Sequence, residues 1–187
     1  MRTKHASWWL AAVATAACLG AEATTLRRMS LEDLADSAHA VVRARCLGSE
    51  SRAQGGQIWT WTRFEVSEAI KGSVPEHVAV RLIGGRAGKL TATVNGVPRF
   101  QDGEEVILFL EPSRGGEWTV TSWAQGTFRI HRERATGREL VTQDTAGLSL
   151  FDPATREFQP GGIRRVRMEE FRERLRAVLA QRGAVRR

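Results

Sequence analysis

Three histidines, one cysteine and one carboxylate cluster are the side chains beyond residue 23 from which hydrolytic or metal chemistry would have to be assembled. His39, His77 and His131 stand far apart, and no H-x-H or H-E-x-x-H spacing brings two imidazoles to one face. Cys46 has no C-x-x-C companion and no identifiable base. A serine nucleophile would call for G-x-S-x-G or S-x-x-K, and neither occurs; Ser67 and Lys71 are four apart at the end of a predicted strand, the wrong spacing. Asp102, Glu104 and Glu105 could share acid–base work, but Asp102-Gly103 is first a turn former. The expectation is a protein without a catalytic constellation, metal or cofactor.

Binding chemistry has better material. Trp59-Thr60-Trp61 lies in a segment where Ile58, Phe64, Val66 and Ile70 share the opposite parity. If those apolar residues face the core, period two turns Trp59, Trp61 and Arg63 outward together. An outward aromatic pair beside a cation is the kind of surface that anchors a protein or carbohydrate ligand. Two alternatives would hide the rings: a bulge that resets the register, or a C-terminal helix lying over both. A second candidate is the glycine-rich stretch from Gly84 to Lys89, carrying Arg86 and Lys89. It lacks the G-x-x-x-x-G-K-[ST] spacing of a phosphate loop and is given no such role.

The elements that would position these residues are mostly short strands. Ser30 to Asp36 reads as a helix, with Ser30 as cap and Asp33 at the capping-box position. Ala40–Leu47 and Gln57–Ile70 alternate as strands, with Gly55-Gly56 closing a polar loop between them. In the first, Val42, Ala44 and Cys46 share a face, making Cys46 a small buried hydrophobe. Val78–Ile83 is a third strand. Leu90–Val94 runs into Asn95-Gly96, a hairpin signal. Val106–Leu110 is continuously apolar, the pattern of a central strand buried on both faces. Trp118–Trp123 and Thr127–Ile130 read as further strands, with the two tryptophans in the core or at a sheet edge; Leu140–Thr142 and Leu148–Phe151 read as a late hairpin. Met168, Phe171, Leu175, Val178 and Leu179 recur at helical spacing, and Glu170 pairs with Arg174 at i,i+4. That C-terminal amphipathic helix either packs on the sheet or makes weak contact with a membrane surface; Glu169, Glu170 and Glu173 speak against the membrane.

Address and charge bound the partners. Met1-Arg2-Thr3-Lys4, the apolar run Trp8–Leu19 and Ala21-Glu22-Ala23 are the three parts of a secretory signal, with cleavage expected after Ala23. The run is too short to span a bilayer. Thr15-Ala16-Ala17 before Cys18 lacks the aliphatic residue of a lipoprotein signal, so lipidation is the lesser alternative. The expected organisation is a signal peptide at 1–23, a β-barrel domain at 24–162, and a helix with a basic tail at 163–187. The export route predicts an extracytoplasmic protein, periplasmic or secreted, whose single cysteine leaves stability to packing. Of the net charge of +7, residues 24–187 keep +6. Residues 163–187, with nine Arg and three Glu, account for all of that. The domain itself is neutral on balance, which speaks against the basic face a nucleic-acid reader needs, and no nucleic-acid partner is expected.

The order of segments then resembles a known group. Ala38–Arg45, Phe64–Gly72 with its Lys-Gly exit, Val78–Val80, the F-x-x-G-E turn of Phe100–Leu110, and the Ser/Gly/Thr segment Thr121–Thr127 together resemble bacterial netrin-like modules related to tissue inhibitors of metalloproteinases. The resemblance covers roughly residues 38–130. It implies a mainly β fold: a small, five-stranded, partly open OB-like Greek-key barrel, here with a short N-terminal helix and a C-terminal amphipathic helix. Inhibitors of that group chelate the protease zinc through an N-terminal Cys. Here the expected mature start is Thr24-Thr25-Leu26 with no Cys near it, and the group's disulfides are missing, so inhibition carries over to no residue. The expected function is a non-enzymatic binding or adaptor module for a protein or an envelope polymer. The alternative, resting on resemblance alone, is an inhibitor or accessory subunit of a secreted peptidase.

Overall fold

The computed structural model describes residues 26–113 and 115–185, with side chains to residue 181. The signal segment, its cleavage site and Cys18 lie outside the described residues.

Helix α1 (Leu31–Ser37) begins where Ser30 Oγ accepts the Asp33 amide and the Asp33 carboxylate accepts the Ser30 amide. This is the reciprocal cap its sequence predicts. Strands β1 (Ala40–Gln54) and β2 (Gln57–Lys71) then form one long hairpin. Its turn is Gly55-Gly56, with φ of 60° and 76°, the two positive values a type I′ connection requires. The polar stretch before that turn, expected as a loop, is therefore strand: Ser49, Ser51 and Arg52 lie opposite Thr62, Thr60 and Trp59. Cross-strand pairing outweighs its weak apolar signal. Lys71 at the exit of β2 donates to the Ala35 and Ala38 carbonyls, each at 2.6 Å, and so closes the C-terminal end of α1 with a cation.

Strand β3 (His77–Ile83) pairs with β2; β4 (Gly85–Ala87) and β5 (Leu90–Ala92) make a small separate hairpin. Leu90–Ala92 thus pairs backwards across Gly88-Lys89, and Asn95-Gly96 is a turn that joins no paired strands, contrary to the hairpin its sequence signals. Strands β6 (Glu105–Pro112) and β7 (Trp118–Val120) complete a closed ring in the order β1-β2-β3-β7-β6-β1. The β3–β7 contact is parallel and the rest antiparallel. This is a small, mainly β barrel of five strands; the segment order implies a partly open one, and here the ring is closed.

Strand β6 is where two layers meet. One edge pairs with β1. Along the other, residues 110–112 pair with β7 and residues 106–108 with β8 (Thr127–Arg132). The sheet continues from β8 through β9 (Glu139–Gln143). Strands β10 (Ser149–Asp152) and β11 (Glu157–Pro160) form their own hairpin, and β12 (Val166–Arg167) returns to β9 just before helix α2 (Met168–Val185). The late hairpin is thus β10–β11, while Leu140–Thr142 belongs to the main sheet. The run beyond Trp118 stops at Val120, and Trp123 opens a 3-10 turn, Trp123–Gly126.

Period two sorts the apolar residues of β6 between two cores. Val106, Leu108 and Leu110 fill the barrel with Val42, Ala44, Cys46, Phe64 and Val80. Ile107 and Phe109 point the other way, under the helices, with Phe128, Phe171 and Leu175. The strand is buried on both faces, as its unbroken apolar run predicts. Trp118 and Trp123 pack partly buried against the barrel core. Helix α2 places Met168, Phe171, Leu175 and Val178 in the second core. Its apolar side is committed to packing, the bland expectation, and is not presented as a membrane-facing stripe. Among the described residues no helix is long and apolar enough to cross a membrane. One parity assignment fails. The β1–β2 register shifts between Val41 and Val42, leaving Ile70 unmatched, and Ile70 joins the helix-side core instead of the barrel interior.

Candidate functional site

The outer face of the β1–β2–β3 sheet carries an alternating ladder of arginine and tryptophan. Inward, Ile58, Thr60, Thr62 and Phe64 are buried in strict alternation. That periodicity sends Trp59, Trp61 and Arg63 to the opposite face. The β1–β2 register shifts all fall between Val41 and Gly48, away from the Gln57–Thr62 stretch that carries the rings. Helix α2 packs on α1, β9 and β12. Neither of the two ways of hiding the rings is realised, yet the rings are half-buried rather than free. What partly covers them is arginine.

Register supplies the partners. Trp61 lies directly opposite Arg81 of β3, and Arg52 of β1 lies opposite Trp59. The Arg81 guanidinium sits 3.9 Å from the Trp59 ring centre and 5.4 Å from that of Trp61; Arg52 covers Trp61 at 4.1 Å. Cation–π contacts at such partly exposed sites are worth about 0.5–1 kcal/mol each, enough together to hold the side chains in one arrangement. Glu117, just before β7, locks it further. Its carboxylate accepts from Trp61 Nε1 at 2.8 Å and from an Arg81 terminal nitrogen at 2.8 Å. The indole hydrogen bond first, and the Arg81 guanidinium second, hold the Glu117 carboxyl below the usual glutamate range. Arg81 Nε is buried without a hydrogen-bond partner, boxed in by the rings. Arg63 extends the face as an exposed cation with no ion pair among the described residues.

The electrostatics make a testable pH signature. A carboxyl whose folded pKa is depressed contributes its stabilisation fully above the ordinary value of 4.5 and loses it as pH falls through the lower, folded value. Tryptophan fluorescence of the native protein is therefore expected to step at acid pH below 4.5 as Glu117 takes a proton and releases Arg81 and Trp61. Glu117→Gln should remove the step while changing stability little, since Glu117 is 38 % exposed. An acid titration followed at the indole emission band decides it; an unchanged step in Glu117→Gln would refute the linkage.

Of the second candidate, Arg86 lines a cleft beside the barrel mouth, whereas Lys89 sits exposed in the β4–β5 turn, away from that cleft. The ladder and the loop do not converge on one site: Trp59 and Trp61 lie on one face of β2, and the cleft reaches its other face at Thr60 and Thr62. The sequence reading missed Arg52, Arg81 and Glu117. Arg81 alternates with buried Val80 and Leu82, so its outward direction was readable, but its pairing with Trp61 needs the β2–β3 register.

The other chemical candidates are dispersed. His39 stacks at 5.8 Å on Trp118, while His77 and His131 are exposed. Cys46 is buried in the barrel, where desolvation pushes its thiol pKa up and away from the reactive thiolate. Glu104 turns to Arg129 and Glu105 to Arg43 and Arg45. Among the described residues no three His, Cys, Asp or Glu side chains gather where a metal could be held. No protein-family model matches the chain, and no curated protein matches it in sequence.

Proposed function

We propose that the protein is a non-enzymatic binding or adaptor module, working outside the cytoplasm, whose ligand is a protein or an envelope polymer docking on the Arg52–Trp61–Arg81–Trp59 ladder. The observation that carries this reading is the ladder's construction. Two half-buried indoles and two guanidiniums are stacked and pinned by Glu117 on a sheet face that neither α1 nor α2 covers. Flat, prearranged aromatic and arginine surfaces lose little entropy when a ligand lands on them, and they are the residue types that concentrate binding energy. Barrels of this topology commonly present ligands to the face of their second and third strands, which is support by analogy of fold. The reading of residues 1–23 as a secretory signal supports an encounter in the envelope or beyond it.

The test is affinity purification of the exported protein from its own envelope and culture fractions, with partners identified by mass spectrometry and by glycan analysis. Wild type is expected to retain one partner stoichiometrically. The double variant Trp59→Ala with Trp61→Ala should weaken that complex by roughly thirtyfold or more, about 2 kcal/mol. Phe158→Ala, an exposed aromatic elsewhere (57 %), should not. A partner profile identical in wild type and double variant would refute the ladder as the site. A peptidase as the retained partner would specify the module as an accessory or inhibitory subunit.

A further inference from the structure

The open end of the barrel beside β4 and β5 is lined by hydroxyls where the rest of the interior is apolar. Ser49 and Ser51 of β1 point inward opposite Thr62 and Thr60 of β2, and each pair shares a hydrogen bond of 2.8 Å. Thr60 and Thr62 are 6 % and 2 % exposed. Thr91 and Thr93 stand on the far wall of the same cleft, whose volume is about 310 Å³. Of these six hydroxyls Thr60 and Thr62 are buried and hydrogen-bonded, Thr60 also donating to the Gly84 carbonyl at 2.6 Å, while Ser49, Thr91 and Thr93 lie exposed at the mouth of the cleft.

Arg99 enters this cleft from the rim. One terminal nitrogen donates to Thr60 Oγ1 at 3.2 Å; the other reaches the Ile83 and Ala92 carbonyls only at 3.5 and 3.4 Å. These contacts are long for a guanidinium, and no carboxylate meets it among the described residues. The half-buried arginines Arg43, Arg81, Arg129 and Arg172 each meet a glutamate or aspartate, whereas Arg99 lies exposed at the rim of the cleft and meets none among the described residues. Arg86, the second cation of the cleft, holds only the Gly88 carbonyl among the described residues, at 3.4 Å. The lining contains two arginines and no acid. Desolvation accordingly presses the Arg99 pKa down, with no anion to offset it.

The backbone is cut to keep the cleft open around this group. Gly84 and Gly85 have φ of 88° and 131°. A Cβ on Gly84 would lie 2.4 Å from the Arg99 guanidinium, and one on Gly85 would lie 2.3 Å from Thr60 Oγ1 and 2.4 Å from Ser51 Oγ. Only glycine lets the chain pass this close to the cation and the hydroxyls. Arg129 donates to the Arg99 carbonyl at 2.9 Å and fixes the segment from which the side chain reaches in.

We propose that this cleft is a binding site for an oxyanion, a carboxylate, sulfate or phosphate group, held by the Arg99 fork with Arg86 at the mouth and the serine and threonine hydroxyls around it. The charge comes from side chains and not from a glycine-rich phosphate loop, whose spacing the segment lacks. The site is separate from the tryptophan ladder, on the opposite face of β2, and stands whether or not the ladder binds.

The test is a two-dimensional NMR titration of the purified protein with sodium sulfate, sodium phosphate and sodium acetate, each at constant ionic strength set with chloride. Saturable shifts are expected at the amides of Thr60, Gly84 and Gly85 and at Arg99 Nε–H. Saturation by the tetrahedral anions alone assigns a sulfate or phosphate group; saturation by acetate alone assigns a carboxylate. Arg99→Gln should weaken binding about tenfold or more, and Arg99→Lys should recover only part, because an ammonium lacks the fork. Arg86→Gln should weaken it less, and it carries the same comparison if Arg99→Gln does not fold. Arg138→Gln, an exposed cation on the β8–β9 turn, should bind as wild type does. Shifts that never saturate with any salt, equal affinity in the Arg99 and Arg86 variants and wild type, or equal losses from Arg138→Gln and Arg99→Gln would overturn the assignment.

Discussion

Phe128→Ala is expected to destabilise the protein by about 3–5 kcal/mol, a large share of the whole stability of a domain this size. Phe128 is completely buried and joins the two halves of the second core. On β8 it lies opposite Ile107 of β6 and Gln143 of β9, and its ring stacks at 5.3 Å on Phe109 and at 5.0 Å on Phe171 of α2. Truncation removes the transfer energy of a large side chain, two ring–ring contacts and the support of the helix, and the sheet beneath cannot collapse to fill the void. Urea unfolding should show a lower midpoint with an unchanged slope. Hydrogen exchange should show the α2 amides opening well before those of β6, because the helix loses its main anchor. Phe158→Ala, at an exposed ring, should leave both measurements unchanged within about 0.5 kcal/mol. A Phe128→Ala protein with a wild-type midpoint would mean that α2 is not docked as described.

Arg129→Met is the second large effect, expected to cost about 2–4 kcal/mol. Arg129 grips Asp144 with two parallel hydrogen bonds of 2.9 and 2.8 Å, reaches Glu104 as well, and its own side chain is only 20 % exposed. It joins three pieces distant in sequence: the Asp102-Gly103 turn before β6, strand β8, and the end of β9. Methionine keeps the volume of the stem but leaves two carboxylates, 18 % and 23 % exposed, without a cation. Its two acids hold the Arg129 guanidinium charged at every accessible pH, so the penalty should persist across the neutral range and resist screening by salt. Arg132 offers the contrast: it meets Glu139 from a side chain 71 % exposed, and Arg132→Ala should fall within about 0.5 kcal/mol of wild type. Denaturant midpoints at low and high salt distinguish the two; equal, small losses would place Arg129 among ordinary surface pairs.

Local chemistry made much of the scaffold readable. Ser30 and Asp33 announced α1, the unbroken run Val106–Leu110 announced a strand buried on both faces, and the 3.6 spacing of Met168, Phe171, Leu175 and Val178 announced α2 with its buried side. Each of these signals is complete within a few residues. The failures share a different cause. Asn95-Gly96 has the turn chemistry of a hairpin, but whether two strands meet across it depends on where Leu90–Ala92 finds its partner, and that is Gly85–Ala87. Ile70 has the parity of Phe64, but a bulge against Val41 and Val42 moves it to the other core.

The same division runs through the candidate sites. Alternation along β2 was enough to turn Trp59, Trp61 and Arg63 to one face, because a strand's side-chain period is a property of its own backbone. The arginines that stack on those rings, and the glutamate that pins them, come from three other parts of the chain. Of the Arg99 cleft the sequence offered only the Gly84–Lys89 stretch with Arg86; Arg99 and the hydroxyls were invisible, since they belong to β1, β2 and the segment before Asp102. By itself the sequence determined the β class, the helices at either end, the turns and the outward face of β2, all of which arise from interactions between near neighbours. The tertiary structure alone decided register, ring closure and which charges meet, because those depend on the geometry of residues that approach only when the barrel closes.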